Sequence, residues 1–259
     1  MTANPASELV PVSDIISPNK TLLLPIGRNK LLKHIPRNAN AAEIGVYKGK
    51  FSRKILRMTR PSSLSLIDAW DIDVERGHIP HKDQLDKAGF NSYARKLPLS
   101  LKPYSFSTKI STHHGLSVPM SDNFRDGELD WIYVDADHSY EGVLADLEAW
   151  SKKVKPDGLI FGHDFTNQPS AIRDGFGVIQ AVQEFVTKHG YHFLLLTTDY
   201  FPTFVLCKDP NGFALSFMSS LVASQKSLIN VSSDMAFGVT HNRFARNKNK
   251  TGLLCDYEA

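Results

Sequence analysis

The stretch "NAAEIGVYKGKFSRKIL", Asn40 to Leu56, decides the fold of this chain. Its first half is apolar and of strand length, its two glycines are typical of a tight turn, and its second half has the spacing of an amphipathic helix. Nucleotide-binding α/β folds begin in this way. Gly45 and Gly49 nevertheless lack the third glycine of the dinucleotide fingerprint G-x-G-x-x-G, so the turn is predicted to hold something other than a pyrophosphate.

The same alternation of strand and helix patterns continues along the chain. The further predicted strands are Ser63 to Trp70, Ser107 to Thr112, Leu129 to Ala136, Pro156 to Phe165 and the runs "YHFLLLTT" and "TFVLCKD". Helix patterns lie between most of them, and in "YEGVLADLEAWSKKV" the apolar positions recur at helical spacing. This order predicts a doubly wound, mostly parallel sheet with helices on both faces. The short link "DYFP" favours an antiparallel hairpin at its end.

Composition narrows the classes of function. With 259 residues, 42% hydrophobic and 22% charged, the chain is long enough for one large domain with a full core. The net charge is only +3, and the basic residues are scattered except in "RFARNKNK", so a nucleic-acid partner is not expected. No signal peptide or membrane span is recognisable, and two cysteines give neither a disulfide framework nor a zinc motif. We therefore expect a soluble, cytoplasmic protein with no membrane partner.

The chain divides into a lead, a main domain with an internal polar segment, and a C-terminal extension. Residues 28–209 carry the strand and helix patterns and are predicted to form the main domain, after a lead of residues 1–27. The polar segment 71–107 within it is predicted to be an insertion or a lid over the site. Residues 210–259 are predicted to dock on the core or on a partner subunit, which would give a homo-oligomer.

Candidate site residues follow from the rule that ligands bind beyond the carboxyl ends of the strands. The strand ends supply Glu43, Gly45, Tyr47, Gly49, Asp68, Asp135, Asp137, His138, His163 and Asp164. Asp68 lies at a strand end 19 residues after Gly49 and is placed to accept hydrogen bonds from ribose hydroxyls. The alternative is a strand-to-helix turn with a solvated aspartate.

The motifs "DADH" and "GHD" predict a second part of the site. Asp135, His163 and Asp164 are candidates to hold one hard or borderline cation, and His138 is a candidate general base. Alternatively, these groups are hydrogen-bonded strand ends and helix caps, with Asp137 or Ser139 capping the next helix. Two explanations remain for the pair His113–His114 with Gly115 and Ser117. These residues form either a polar loop or the lining of an adenine pocket.

Taken together, these motifs resemble the class I S-adenosylmethionine-dependent methyltransferases. The likeness rests on "AEIGVYKGKFSRKIL", "LSLIDAWD", "LDWIYVDADHSYEGVLADLEAWSKKVKPDGLIFGHDF" and "GVIQAVQEFVTKHGY", and it covers Arg28 to Asp209. It is strongest to the bacterial small-molecule branch with D-x-D-H-x-Y-E and H-D motifs. The resemblance implies a Rossmann-like, seven-stranded sheet whose last strand is antiparallel.

The resemblance also implies roles for particular residues. Glu43, Gly45, Tyr47, Gly49 and Asp135 would surround the methionine and ribose part of S-adenosylmethionine, Asp68 would hold the ribose, and Gly115 and Ser117 would lie near the adenine. A magnesium ion in some relatives would fall on Asp135, His163 and Asp164, with His138 as the base. The chain departs from the family in that its turn lacks G-x-G and His163 replaces a carboxylate. Nor does "DADH" match the N-P-P-Y motif of enzymes that methylate nucleic-acid bases.

Three hypotheses of function follow. The first is O-methylation of a small molecule, such as a sugar or phenol hydroxyl of a natural product, assisted by a divalent metal. The second is a metal-dependent oxidoreductase or hydroxylase on the same fold, with non-haem iron at His138, His163 and Asp164. The third is a non-catalytic module that binds S-adenosylmethionine within an assembly.

Overall fold

The computed structural model of the protein describes residues 19–70, 87–225, 229–247 and 250–257. Its main sheet has the spatial order β4-β3-β2-β5-β6-β8-β7-β1-β9. The strands are β1 (Lys20–Leu24), β2 (Asn40–Ile44), β3 (Ser63–Asp68), β4 (Lys109–His114), β5 (Leu129–Val134), β6 (Val154–Gly162), β7 (His192–Thr197), β8 (Phe204–Cys207) and β9 (Ile229–Ser232). Pairing is parallel from β4 to β6, and β8 runs antiparallel to both β6 and β7. The predicted mostly parallel sheet and its antiparallel hairpin are confirmed.

This sheet is wider than the seven strands expected, because two strands extend one edge. β1 pairs in parallel with β7, and β9 pairs antiparallel with β1. Four of the five residues of β1 are buried, so this short apolar strand covers an edge that β7 would otherwise leave open. β1 lies in the segment treated as a lead and β9 in the segment treated as an extension, so the sheet continues beyond both limits of the predicted main domain.

Helices cover the sheet on both faces. They are α1 (Arg28–Leu31), α2 (Lys50–Thr59), α3 (Lys87–Leu101), α4 (Ser117–Met120), α5 (Tyr140–Trp150), α6 (Pro169–Arg173), α7 (Val178–His189), α8 (Gly212–Ser224) and α9 (Ser233–Phe237). One core cluster joins α2 and α8 to the sheet through Phe51 and Phe217, and the other joins α5 and α7 through Trp150 and Phe185. The helical spacing seen in the sequence therefore marks the buried faces.

The segments that flank the core are described in part. Helix α8 buries Ala214, Phe217, Met218 and Leu221, so residues 212–224 dock on the core of the same chain. Beyond α9, β10 (Val239–Asn247) and β11 (Lys250–Tyr257) form a separate antiparallel ribbon. Part of the predicted lid, residues 71–86, lies outside the described residues, and the described part includes α3. Among the described helices, none has the length and apolar character that crossing a membrane requires.

Candidate active site

A cavity of about 660 Å³ opens at the carboxyl ends of β2, β3 and β5. This is the volume of a pocket for a small ligand or cofactor. Eight of the predicted site residues line it, namely Glu43, Gly45, Tyr47, Asp68, Ser117, Asp135, Asp137 and His138. Four others, Gly49, Gly115, His163 and Asp164, are not among its lining residues. Strand ends that are far apart in the sequence are thus brought to one cavity, as the parallel order of the strands requires.

The two glycines of the turn after β2 have different structural roles. Gly45 has a φ of +88°, and a Cβ added there would lie 2.7 Å from the backbone nitrogen of Ala136 and closer still to the carbonyl of Asp135. A side chain at Gly45 would therefore push β2 and β5 apart. Gly49 has a φ of +66° and is the N-cap of α2, where an added Cβ would overlap the side chain of Leu97. Gly49 thus serves helix packing rather than the cavity wall.

Asp68 organises the same turn through its carboxylate. Its Oδ2 accepts hydrogen bonds from the backbone N–H groups of Val46 and Tyr47, each at 2.7 Å, and its Oδ1 accepts from that of Trp70 at 2.6 Å. A carboxylate offers about four acceptor sites, so Oδ1 retains acceptor capacity toward the cavity. The backbone bonds show that Asp68 is not a solvated turn residue. Its contact with a ribose stays a prediction.

Glu43 is a buried acid at the end of β2. Only 1% of its surface is exposed, and its Oε2 has no hydrogen-bond partner among the described residues. Burial, helped by the nearby carboxylates of Asp135 and Asp68 and opposed by Ser52 and Arg28, raises the pKa of Glu43 to about 8. The side chain is therefore largely protonated at neutral pH and is able to donate a hydrogen bond into the cavity.

Two carboxylates and three basic side chains form a cluster beside the cavity. Asp164 lies 2.8 Å from His138 (Oδ2 to Nε2) and 3.0 Å from His163 (Oδ1 to Nδ1). Asp135 Oδ2 accepts a hydrogen bond from Arg28 Nη1 at 2.8 Å, and its Oδ1 is 3.7 Å from His138 Nε2 and 3.6 Å from His163 Nδ1. The predicted convergence of "DADH" and "GHD" thus brings these side chains together, with Arg28 as an additional member.

Electrostatics within this cluster favour ion pairs. Burial by itself lowers the pKa of each histidine, but the carboxylates of Asp135 and Asp164 outweigh it and raise the pKa of His138 to about 10 and that of His163 to about 9. Although burial opposes it, the pKa of Asp135 is held well below its usual value by the histidines and Arg28. With the cluster as it stands, both imidazoles carry a proton at neutral pH.

The donor atoms of this cluster fit a divalent cation. Asp135, His138 and Asp164 each offer one ligand atom, and these atoms lie within 4.8 Å of one another. Neither ring nitrogen of His138 has a directed hydrogen bond within the described chain, although Nε2 is close to Asp164. Carboxylate oxygens and imidazole nitrogens suit magnesium, manganese or zinc. The predicted set of Asp135, His163 and Asp164 differs in its histidine and stays a prediction.

The sequence did not identify two further polar residues of the cavity, Arg28 and Asp146. The guanidinium of Arg28 lies 4.5 Å from the ring centroid of Phe51, and it comes from α1, before the first strand of the family pattern. No local signal in the sequence relates Arg28 to "DADH". For Asp146 a signal existed, because this acid falls on the buried face of α5 beside Val143, Leu147 and Trp150.

Comparisons with known proteins agree with this site. Residues 42–165 match the family model described as a methyltransferase domain. This match spans the glycine turn, Asp68, the "DADH" segment and "GHD". A comparison with curated protein sequences gave no significant match.

Solved structures of methyltransferases are similar at low identity. A SAM-dependent methyltransferase from Aquifex aeolicus shares 13% identity, with 74% of this chain and 90% of that chain covered and a TM-score of 0.49. The M1A22 tRNA methyltransferase TrmK of B. subtilis shares 13%, with 72% and 68% covered and a TM-score of 0.47. An O-methyltransferase of neocarzinostatin biosynthesis shares 11%, with 66% of this chain but only 49% of that chain covered and a TM-score of 0.45. One of these three acts on tRNA and another is an O-methyltransferase, so the likeness carries no statement about a substrate.

Residues 42–165, a little less than half of the chain, are therefore similar to a methyltransferase domain, and they carry most of the cavity lining. This likeness supports a methyltransferase that uses S-adenosylmethionine as its methyl donor.

Proposed function

We propose that the protein transfers the methyl group of S-adenosylmethionine to a hydroxyl oxygen of a small molecule. The observation that carries the proposal is the cluster of Asp135, His138 and Asp164, of which Asp135 and His138 line the cavity. A hydroxyl must lose its proton as its oxygen is methylated. Acidic and imidazole groups at the cavity wall are able to orient a hydroxyl and take up that proton.

The reaction is an in-line displacement. The acceptor oxygen forms a bond to the methyl carbon, the carbon–sulfur bond breaks with its electron pair left on sulfur, and S-adenosylhomocysteine is the product. Most of the rate comes from holding the oxygen, the methyl carbon and the sulfur in line. We assign the cavity walls around Gly45 and Asp68 to holding the donor and the cluster to holding the acceptor.

The two histidines are assigned different roles by their positions. His138 lines the cavity and stacks on Phe176 with ring centroids 4.6 Å apart, which limits the orientations of its imidazole. His163 is not among the lining residues and lies near both carboxylates. We therefore assign proton acceptance to Nε2 of His138, and the positioning of Asp135 and Asp164 to His163.

A divalent cation is part of this proposal, because the donor set fits one. Asp135 and Asp164 would hold it with the predicted third ligand His163, which leaves Nε2 of His138 as the proton acceptor. When bound, such an ion lowers the pKa of an acceptor hydroxyl and offsets the negative charge that holds a proton on His138. Arg28 then holds Asp135 in place from the other side through its 2.8 Å bond to Oδ2.

The test is a methyl-transfer assay with phenols, sugars and amines as acceptors, with S-adenosylhomocysteine release as the readout. We expect turnover with hydroxyl acceptors, loss of turnover in a chelator and recovery on addition of Mg²⁺. His138→Ala should bind S-adenosylmethionine normally in calorimetry but lose roughly a hundredfold or more in turnover.

The matched control is His34→Ala, because His34 lies on the protein surface, where its Nδ1 is 3.0 Å from the hydroxyl of Ser220. This variant should behave as the wild type in both assays. Methylation of amines or RNA without any hydroxyl product would overturn the proposed acceptor. Full turnover by His138→Ala would overturn the assigned base while leaving the acceptor class intact.

A further inference from the structure

Two aromatic rings lie against the histidines of the cluster. The ring of Phe176 stacks on the imidazole of His138, with centroids 4.6 Å apart and an angle of 22° between the planes. The ring of Phe201 has its centroid 6.2 Å from that of the His163 imidazole. The two imidazoles share the carboxylate of Asp164, at 2.8 and 3.0 Å. Aromatic rings therefore border the group to which the acceptor hydroxyl is assigned.

This aromatic surface adjoins the cavity but is not part of its lining. His138 lines the cavity, whereas Phe176 and Phe201 are not among the lining residues. Both rings are only partly buried, and Tyr200 beside them is 59% exposed, with its ring centroid 4.8 Å from that of Phe201. Exposed aromatic side chains next to a reactive group are typical of a ligand-binding surface.

Backbone hydrogen bonds hold the loop that carries Phe176, which lies between α6 and α7. The N–H of Gly177 donates to the carbonyl of His138 at 2.8 Å, and the N–H of Phe176 itself donates to the carbonyl of Ala171 at 3.0 Å. The first bond ties the loop directly to the residue on which the ring stacks. Phe176 is therefore held in position before any acceptor binds, which lowers the entropic cost of binding.

The loop that carries Phe201 is held in a similar way, between β7 and β8. The carbonyl of Pro202 accepts a hydrogen bond from the N–H of Phe165 at 3.1 Å, and the carbonyl of Tyr200 accepts one from Nε2 of Gln168 at 2.9 Å. Both neighbours of Phe201 are thus bonded to the segment that follows β6. Since that segment also carries His163 and Asp164, the position of the ring is coupled to the cluster.

Several polar side chains of these loops are already hydrogen-bonded within the protein. Gln168 donates to Tyr200, Oγ1 of Thr166 accepts from the N–H of Gln168 at 3.3 Å, and Asp199 accepts from the hydroxyl of Thr197 at 2.6 Å. A sugar carries several hydroxyls that each need a partner in a site that excludes water. A phenol carries one hydroxyl and a flat apolar ring, which stacks well on aromatic side chains. The surface therefore suits a phenol better than a sugar.

We propose that the acceptor is a phenol, and that Phe176 and Phe201 hold its ring by aromatic stacking while its hydroxyl faces the cluster. The proposal rests on the proposed transfer to a hydroxyl and names the class of molecule that carries that hydroxyl. Both rings lie beyond residue 165, outside the part of the chain that matches the methyltransferase domain. The choice of acceptor is thus a property of the loops that follow the matched region.

Two phenols with the same reacting group test the stacking. Phenol and 2-naphthol each carry one hydroxyl on an aromatic carbon, with similar acidity, but the second ring of 2-naphthol offers more surface for stacking. One aromatic pair changes binding by about three- to tenfold. In an assay with S-adenosylmethionine and Mg²⁺, the wild type should therefore show a kcat/KM about tenfold higher for 2-naphthol, with the difference in KM rather than in kcat.

Replacing both rings by leucine removes the stacking and keeps the sites apolar. In the double variant Phe176→Leu/Phe201→Leu, the preference for 2-naphthol should fall to about threefold or less, and tyrosine at both positions should restore it. The matched control is Phe106→Leu, because Phe106 is 92% exposed and precedes β4 at an edge of the sheet. This control should keep the full preference. Thermal unfolding and calorimetry with S-adenosylhomocysteine verify that each variant is folded and binds the cofactor product.

The outcomes separate this proposal from the proposed transfer to oxygen. If the wild type methylates a sugar hydroxyl but neither phenol, the proposal is overturned, while transfer to oxygen stands. Methylation of amines alone would overturn both. If the folded double variant keeps the wild-type preference, the two rings do not hold the acceptor and the proposal is overturned. Should the double variant not fold, Phe201→Leu is measured in the same way, and an unchanged preference has the same consequence.

Discussion

Gly45→Ala should disrupt the junction between the two central strands. Residues other than glycine pay about 1–2 kcal/mol for a left-handed backbone, which is the first cost at a φ of +88°. The second cost is steric, because the new methyl group would overlap the carbonyl of Asp135 and lie 2.7 Å from the nitrogen of Ala136. Both atoms belong to backbone, so relief requires the strands to separate. That movement weakens the 2.8 Å hydrogen bond from Asp135 N–H to the carbonyl of Ile44, a loss of about 1 kcal/mol.

The expected total for Gly45→Ala is about 2–3 kcal/mol in the free energy of unfolding, from the backbone and hydrogen-bond costs together. Urea unfolding followed by circular dichroism measures it. Gly175→Ala is the matched control, because Gly175 has a φ of +81° and nothing within 4 Å of an added Cβ. The control should lose only the conformational part, about 1–2 kcal/mol. Equal losses in the two variants would refute the close approach of the strands at Gly45.

Three further predictions concern side chains of the cavity. Asp68→Ala leaves three backbone N–H donors without their acceptor. We therefore expect a loss of about 2–4 kcal/mol in the free energy of unfolding in urea and at least roughly tenfold weaker cofactor binding in calorimetry. A smaller loss in Asp68→Asn would show that the missing acceptor is the cause. Arg28→Ala removes one of the three basic groups that face Asp135. Because both side chains of this ion pair are partly exposed, the expected loss is only about 1–2 kcal/mol, and a urea curve identical to that of the wild type would contradict it. Glu43 has a raised pKa in the folded protein, so the stability it contributes is complete below about pH 4.5 and is lost as the pH rises through about 8. Relative to Glu43→Gln, the free energy of unfolding of the wild type should therefore fall by about 2–4 kcal/mol between pH 5 and 8. Parallel curves of stability against pH for the two proteins would show that the fold does not raise the pKa of Glu43.

Local patterns predicted the centre of the fold well. The strand, turn and helix of "NAAEIGVYKGKFSRKIL" appear as β2, Gly45 and α2, because a buried strand and an amphipathic helix each leave a period in the sequence. The positions of Asp68, Asp135 and His138 beside one cavity followed from the same patterns, since parallel strands end at one edge of a sheet. The predicted capping of α5 by Ser139 is also found, with its hydroxyl oxygen accepting from Gly142 N–H.

Features that depend on distant parts of the chain were missed. β1 and β9 pair across more than 190 residues, and nothing in "KTLLL" indicates that partner. Likewise, the distance from Arg28 to Asp135 is set by the tertiary packing of α1 and not by any spacing in the sequence. Gly49 has a left-handed conformation that begins α2, outside the lining of the cavity, and its assignment to the cofactor stays a prediction.

The sequence by itself determined the class of fold, the glycine turn and which acids and histidines stand at strand ends, because periodicity and strand-end position are local properties. Tertiary structure alone decided how those groups combine. It brought Arg28 to Asp135, and it placed His138 in the lining of the cavity and His163 outside that lining. It also left Asp146 with an unpartnered oxygen among the described residues. The physical reason is that the charge state and the partner of a buried group depend on which segments pack around it, and those segments are far apart in the chain.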